Sequence, residues 1–189
     1  MSQDEARFAL VPTLTTTLGI QGERPYVGTW DCKDVVQVFG SVNMESGQLT
    51  HHLFESQHRV RRHDGLSKTS RMQQQFARHI EQVGRAYPAD SCLRVIMLVD
   101  GANWHRGRVV DEALRANPHV LLYKLPPYSP QLQPIERLWR PLRHDVSHNV
   151  LYDTMPELSD ALRARLREYK RKPHTVLQAV GLLQDLPAS

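Results

Sequence analysis

The apolar positions change period several times along the chain, and each change marks an element. Val35, Val36, Val38, Phe39 and Val42 form a β-branched and aromatic run, and "MESGQ" follows as turn chemistry. "LTHHLF" then resumes the extended pattern. The spacing predicts two strands around a turn. "RRHDGLSKTS" reads as a polar loop in which Ser67 or Thr69 caps a helix. Met72, Phe76, Ile80 and Val83 recur at helical spacing in that helix, and Pro88 ends it.

"CLRVIMLVD" is a near-continuous apolar run, which predicts a strand buried on both faces and ending at Asp100. A helix is expected from about His105 to Ala116, and "HVLLYKLP" is expected to be a second short buried strand. The proline-rich "LPPYSPQLQPIERLW" follows, with a helix starting at Pro134. Pro141 lies inside that helix and is expected to kink or break it. Last, Leu158, Ala161, Leu162, Leu166 and Tyr169 lie on one stripe of an amphipathic helix. Strands first, then alternating helix and strand, then helices predict an α/β protein: a mixed sheet with helices on both faces.

Composition narrows the class without naming a function. The chain has 189 residues, 40% hydrophobic and 23% charged, as expected of one soluble domain with a substantial core. No apolar run is long enough for a membrane span, and the N-terminus lacks the order of a secretory signal. Cys32 and Cys92 share no metal-ligand spacing and suit a reducing cytoplasm. The net charge of +4 favours an anionic partner such as nucleic acid.

The candidate chemistry lies in acids at element ends. Asp100 ends a buried strand and is followed by "GANWH". Thirty-five residues separate it from Glu136, room for one helix and one strand that return the chain beside the strand ends. Glu136 stands in the first turn of its helix, where the positive terminus favours a carboxylate. Asp4 and Glu5 form a third acidic spot. Taken singly, each acid is an ordinary turn former, dipole-compensating residue or surface pair. Together, three carboxylates can hold two hard divalent ions around an in-line attack at phosphorus.

"DEARF", "VFGSVN", "VIMLVDGANWH" and "LPPYSPQLQPIERLW", in that order, resemble the catalytic domain of DDE transposases. More narrowly, they look like the bacterial insertion-sequence branch of the mariner superfamily. The resemblance implies a ribonuclease-H-like core over residues 1–150, with 151–189 as a C-terminal helical extension of the same domain. It implies metal-dependent DNA cleavage and strand transfer with two magnesium ions, or manganese in their place. Asp4, Asp100 and Glu136 would be the catalytic, metal-binding acids. Asn103, His105, Tyr128 and Ser129 would support them. Arg140 and Arg143, on the glutamate helix, are candidates for DNA phosphates, and Trp104 for stacking on a base. The partners implied are double-stranded transposon ends and target DNA, with a homodimer or a partner encoded upstream as alternatives for assembly. The location implied is cytoplasmic, on the nucleoid.

Two departures from the family pattern stand out: Pro141 inside the glutamate helix, and the start of the chain. Only Met1, Ser2 and Gln3 precede Asp4, so the first, central strand is expected to be truncated, almost absent. A helix-turn-helix region that reads transposon ends is expected to be absent as well. The expectation is of the distal part of a transposase, weakly active or inactive alone. The rival is an inert remnant that at most binds DNA or a partner subunit; a related nuclease without strand transfer is a third reading. Three further features give no independent lead. "HDVSH" puts two histidines four apart but lacks the glutamate of a zinc protease. The cations Arg163, Arg165, Arg167, Lys170, Arg171 and Lys172 fit a solvated face as well as a phosphate track. Trp30 and Trp139 read as core or semi-buried residues.

Overall fold

The computed structural model describes residues 1–18, 20–23, 25–56, 65–92, 94–127 and 129–183. Five strands form one sheet in the order β3-β2-β1-β4-β5. β1 (Ser2–Ala9) pairs antiparallel with β2 (Val35–Val42), which pairs antiparallel with β3 (Leu49–Ser56). On its other side β1 runs parallel to β4 (Val95–Val99), and β4 runs parallel to β5 (Val120–Lys124). The β2–β3 hairpin is the one expected from the apolar run and its turn. Part of the "RRHDGLSKTS" loop lies outside the described residues.

Ser67 caps α1 (Lys68–Ala86), its hydroxyl accepting the Ser70 N–H at 3.0 Å. The predicted stripe of Met72, Phe76, Ile80 and Val83 is buried, and it packs with Val110 and Ala113 of α2 (Arg108–Ala116) against Phe39, β4 and β5. α3 (Glu136–Val146), α4 (Met155–Arg171) and α5 (Pro173–Ala179) cover the opposite face over β1 and β2. Helices therefore lie on both faces. None of them, among the described residues, is long and apolar enough to cross a membrane.

Several expectations need correction. β1 is not almost absent: it is central and pairs with β2 along all eight of its residues. Asp4 stands near the start of this strand, and its apolar alternation, Ala6 and Phe8, follows the acid instead of preceding it. What is short is the ladder to β4, where Ser2 faces Leu98 and the Met1 amine bonds the Ile96 carbonyl. β4 and β5 are not buried on both faces. Ile96 is 50% exposed and Tyr123 60%, because α3–α5 gather over β1 and β2 and leave this side open. The helix expected from His105 starts at Arg108, because Gly107 takes φ +114° after a 3-10 turn over Asn103–His105. α3 begins at Glu136 rather than Pro134, and it continues unbroken through Pro141.

Candidate active site

Asp4 and Glu136 meet in one cavity. The third residue of β1 and the first of α3 line a hollow of about 390 Å3 with Glu5, Trp139, Arg140, Arg143 and His148. Two contacts fasten the proline-rich segment to β1. Buried Gln133 donates its side-chain amide to the Gln3 carbonyl at 2.7 Å, and the Ile135 N–H donates to the Ser2 hydroxyl at 3.4 Å. The prolines stiffen the approach, but these two bonds tie the start of α3 to the strand that carries Asp4. Ser129 takes part only locally, its hydroxyl reaching the Pro127 carbonyl at 3.4 Å. Tyr128 lies outside the described residues.

Trp139 sets Asp4. Its indole N–H donates to Asp4 Oδ2 at 2.8 Å. The ring fits because Gly40, facing Asp4 across the ladder, has no side chain; a Cβ there would stand 2.6 Å from the indole. Burial pushes the Asp4 carboxyl up to about 7, the Trp139 bond opposes this, and the charges of Glu5 and Glu136 add to the rise. This is a site with surplus negative charge, which a cation relieves. Arg143 answers part of it. Its guanidinium lies 5.1 Å from the Phe8 ring centre, and burial pulls its pKa down while Asp4 holds it up.

Asp100 is turned differently. It lines a neighbouring cavity with His105, Arg106 and Lys124, where its Oδ1 lies 3.0 Å from His105 Nδ1 and accepts the Ala102 N–H at 2.8 Å. The bond from His105 holds the Asp100 carboxyl below its ordinary value. His105 also donates from Nε2 to Glu5 Oε1 at 3.0 Å. Burial disfavours its charged form, but the bonds and charges of Asp100 and Glu5 prevail and lift it to about 9. Asp4 and Glu136 thus line one cavity and Asp100 another. Among the described residues no three His, Cys, Asp or Glu side chains are grouped to hold a metal ion. Oxygen donors of the right chemistry are present in Asp4 and Glu136, with Asp100 on the adjacent strand end and its carboxylate engaged by His105.

The remaining candidates fall into place around this pair of cavities. Asn103 is exposed and accepts Arg106 at 2.7 Å. Trp104 lines neither cavity; it is half-buried, packs on the core beneath α1 and donates its indole N–H to Glu5 at 3.0 Å. α3 ends at Val146, so His148 is not on the helix that carries His144. Of the six cations on that stretch, Arg163, Arg165 and Lys172 are engaged in ion pairs with Glu55, Asp160, Asp145 and Glu168. Trp139, Gly40, Gln133, Ser2 and Glu5 escaped the sequence reading as site residues. The acid pair and the proline motif pointed to their neighbourhood only.

Residues 1–159 match the family model described as DDE superfamily endonuclease. The chain belongs to the DDE superfamily endonucleases. A curated relative, the uncharacterized protein y4pE/y4sA of Sinorhizobium fredii (strain NBRC 101917 / NGR234), is 30% identical over 104 residues, 55% of this chain and 72% of that protein. Among solved structures, the Mos1 transposase paired-end complex with left transposon end aligns with 94% of the chain at TM-score 0.60 and 18% identity. The chain covers 52% of that Mos1 chain, about half its length. The Mos1 catalytic domain with Raltegravir and Mg aligns at TM-score 0.52 and 18% identity, covering 94% of this chain and 78% of that one. This DDE superfamily member therefore has the ribonuclease-H-like fold expected, with its acids on β1, after β4 and at the start of α3.

Proposed function

We propose that this DDE domain is the catalytic part of an insertion-sequence transposase of the mariner superfamily, cutting DNA at the element's ends and joining it to target DNA. The observation that carries the reading is the meeting of Asp4 and Glu136 in one cavity flanked by Arg140 and Arg143. Asp4, Glu136 and the free oxygen of Asp100 would hold two magnesium or manganese ions. When bound, these would supply an activated attacking oxygen and charge relief at the leaving one. Three of the Mos1 structures it resembles contain Mn or Mg, and another is a complex with the left transposon end. The chain's own part is to place the carboxylates and to hold phosphate. Arg140 and Arg143 line the cavity beside the two acids, which puts two guanidinium groups where a phosphate would pass. We read residues 1–150 as the core and 151–189 as its helical extension.

Glu136→Gln tests the reading. The variant is expected to lose Mn2+ binding and Mn2+-dependent nicking of DNA while it keeps its fold, since Glu136 is exposed. Nicking at the wild-type rate would sink the assignment. A wild-type chain that binds DNA but no Mn2+ would favour the inert-remnant reading instead. Arg143→Gln is expected to weaken DNA binding and to lower the slope of log affinity against log salt by about 0.9 for the lost phosphate contact. An unchanged slope in filter-binding or anisotropy titrations would count against that contact.

A further inference from the structure

Next to Asp4 on β1, Glu5 borders the same hollow, yet its side chain is only 6% exposed and its carboxylate is turned to His105 and Trp104. It is saturated with donors. Oε1 accepts Gln3 Nε2 at 2.8 Å and His105 Nε2 at 3.0 Å, and Oε2 accepts the Trp104 indole at 3.0 Å. His105, 5% exposed and packed on Phe76 with ring centres 4.3 Å apart, is held by Glu5 at one nitrogen; the other faces Asp100 twice, its Oδ1 at 3.0 Å and its backbone carbonyl at 3.3 Å. The Ala102 N–H donates to the same Oδ1. Both contacts fall on one oxygen of Asp100, whose side chain is still 45% exposed. Oδ2 accepts none of the described hydrogen bonds.

We propose that Glu5 is a positioning residue for Asp100: through His105 it clamps Oδ1, so that Asp100 offers Oδ2 alone, in a set direction, to a divalent cation. The inference rests on the metal-binding reading above and goes beyond it by giving the buried acid of the Asp4-Glu5 pair a separate task. A carboxylate on an exposed turn would otherwise spend rotamer freedom on binding. Partners that orient a metal ligand commonly account for about 10- to 100-fold in metal affinity.

The test is Mn2+ binding to the full chain, followed by electron paramagnetic resonance of the free ion, for wild type, Glu5→Gln, His105→Gln and the double variant. Glu5→Gln is expected to bind Mn2+ about 10- to 100-fold more weakly, and the double variant no more weakly than His105→Gln alone, because Glu5 acts through the histidine. In the metal-free protein, the His105 ring N–H signals of a proton–nitrogen correlation spectrum should shift in Glu5→Gln. If Glu5→Gln does not fold, Glu5→Asp, which keeps the charge but withdraws the carboxylate by one methylene, replaces it in the same comparison. Unchanged or tighter Mn2+ binding in the Glu5 variant, or effects that simply add, overturns the inference alone. A wild-type chain that binds no Mn2+ overturns the metal reading and the inference together.

Discussion

Replacing Asp4 by asparagine is expected to make the metal-free protein more stable and to abolish Mn2+ binding at the same time. The Asp4 carboxyl titrates at about 7 rather than 3.8, first because of burial and then because Glu5 and Glu136 are near. An acid whose proton is held more tightly in the folded state takes stability away as pH rises. The loss begins near the unfolded value of about 4 and is complete at about 7, above which both states are ionised. At about 1.4 kcal/mol per tenfold change in proton affinity, the charged Asp4 costs the fold on the order of 4 kcal/mol at pH 8. The asparagine side chain would carry no charge and could still accept the Trp139 N–H. In urea denaturation with EDTA, the variant should exceed wild type by a few kcal/mol at pH 8, with the advantage shrinking toward pH 4. Mn2+ should stabilise wild type and leave the variant unmoved. Equal stability at pH 8 would mean that Asp4 is not the strained, buried acid described here.

The same residue shows where sequence reading succeeds and where it stops. Asp4, Asp100 and Glu136 could be singled out as candidates because each stands at the end of an element within a recognisable string. The elements themselves were legible where one period runs for several turns, as in the Met72–Val83 stripe and the Val35–Val42 run. What holds Asp4 was not legible. Trp139 reaches it across 135 residues of sequence and Gln133 reaches Gln3 across 130, and no local pattern encodes such pairs. Trp139 could be placed in or near the core, but the direction of its N–H depends on the sheet's register. β4 and β5 misled for a related reason: an apolar run shows that a strand can be covered on both faces, and only the packing of α3–α5 shows that one face is not. β1 was judged by the residues before Asp4, whereas its apolar alternation lies after it.

Gly40→Ala carries the last argument, because it separates packing from chemistry at Asp4. The new Cβ would lie 2.6 Å from Trp139 Cη2 and 3.3 Å from Ile135 Cδ1, closer to the indole than any real contact allows. The indole is walled in by the same core, so it can yield only by shifting off its place, at a cost of about 1–3 kcal/mol for an overpacked site. Any such shift pulls Nε1 away from Asp4 Oδ2. The Trp139 bond is what holds the Asp4 pKa down against burial, so its loss should raise that pKa further and weaken Mn2+ binding. Trp139→Phe shortens the ring that Gly40 accommodates but removes the N–H. Added to Gly40→Ala it should recover part of the lost stability, a non-additive gain of the kind neighbouring residues show, and recover none of the Mn2+ affinity. If Mn2+ binding returned along with stability, the indole would be packing alone, and the hydrogen bond to Asp4 would have no part in the site.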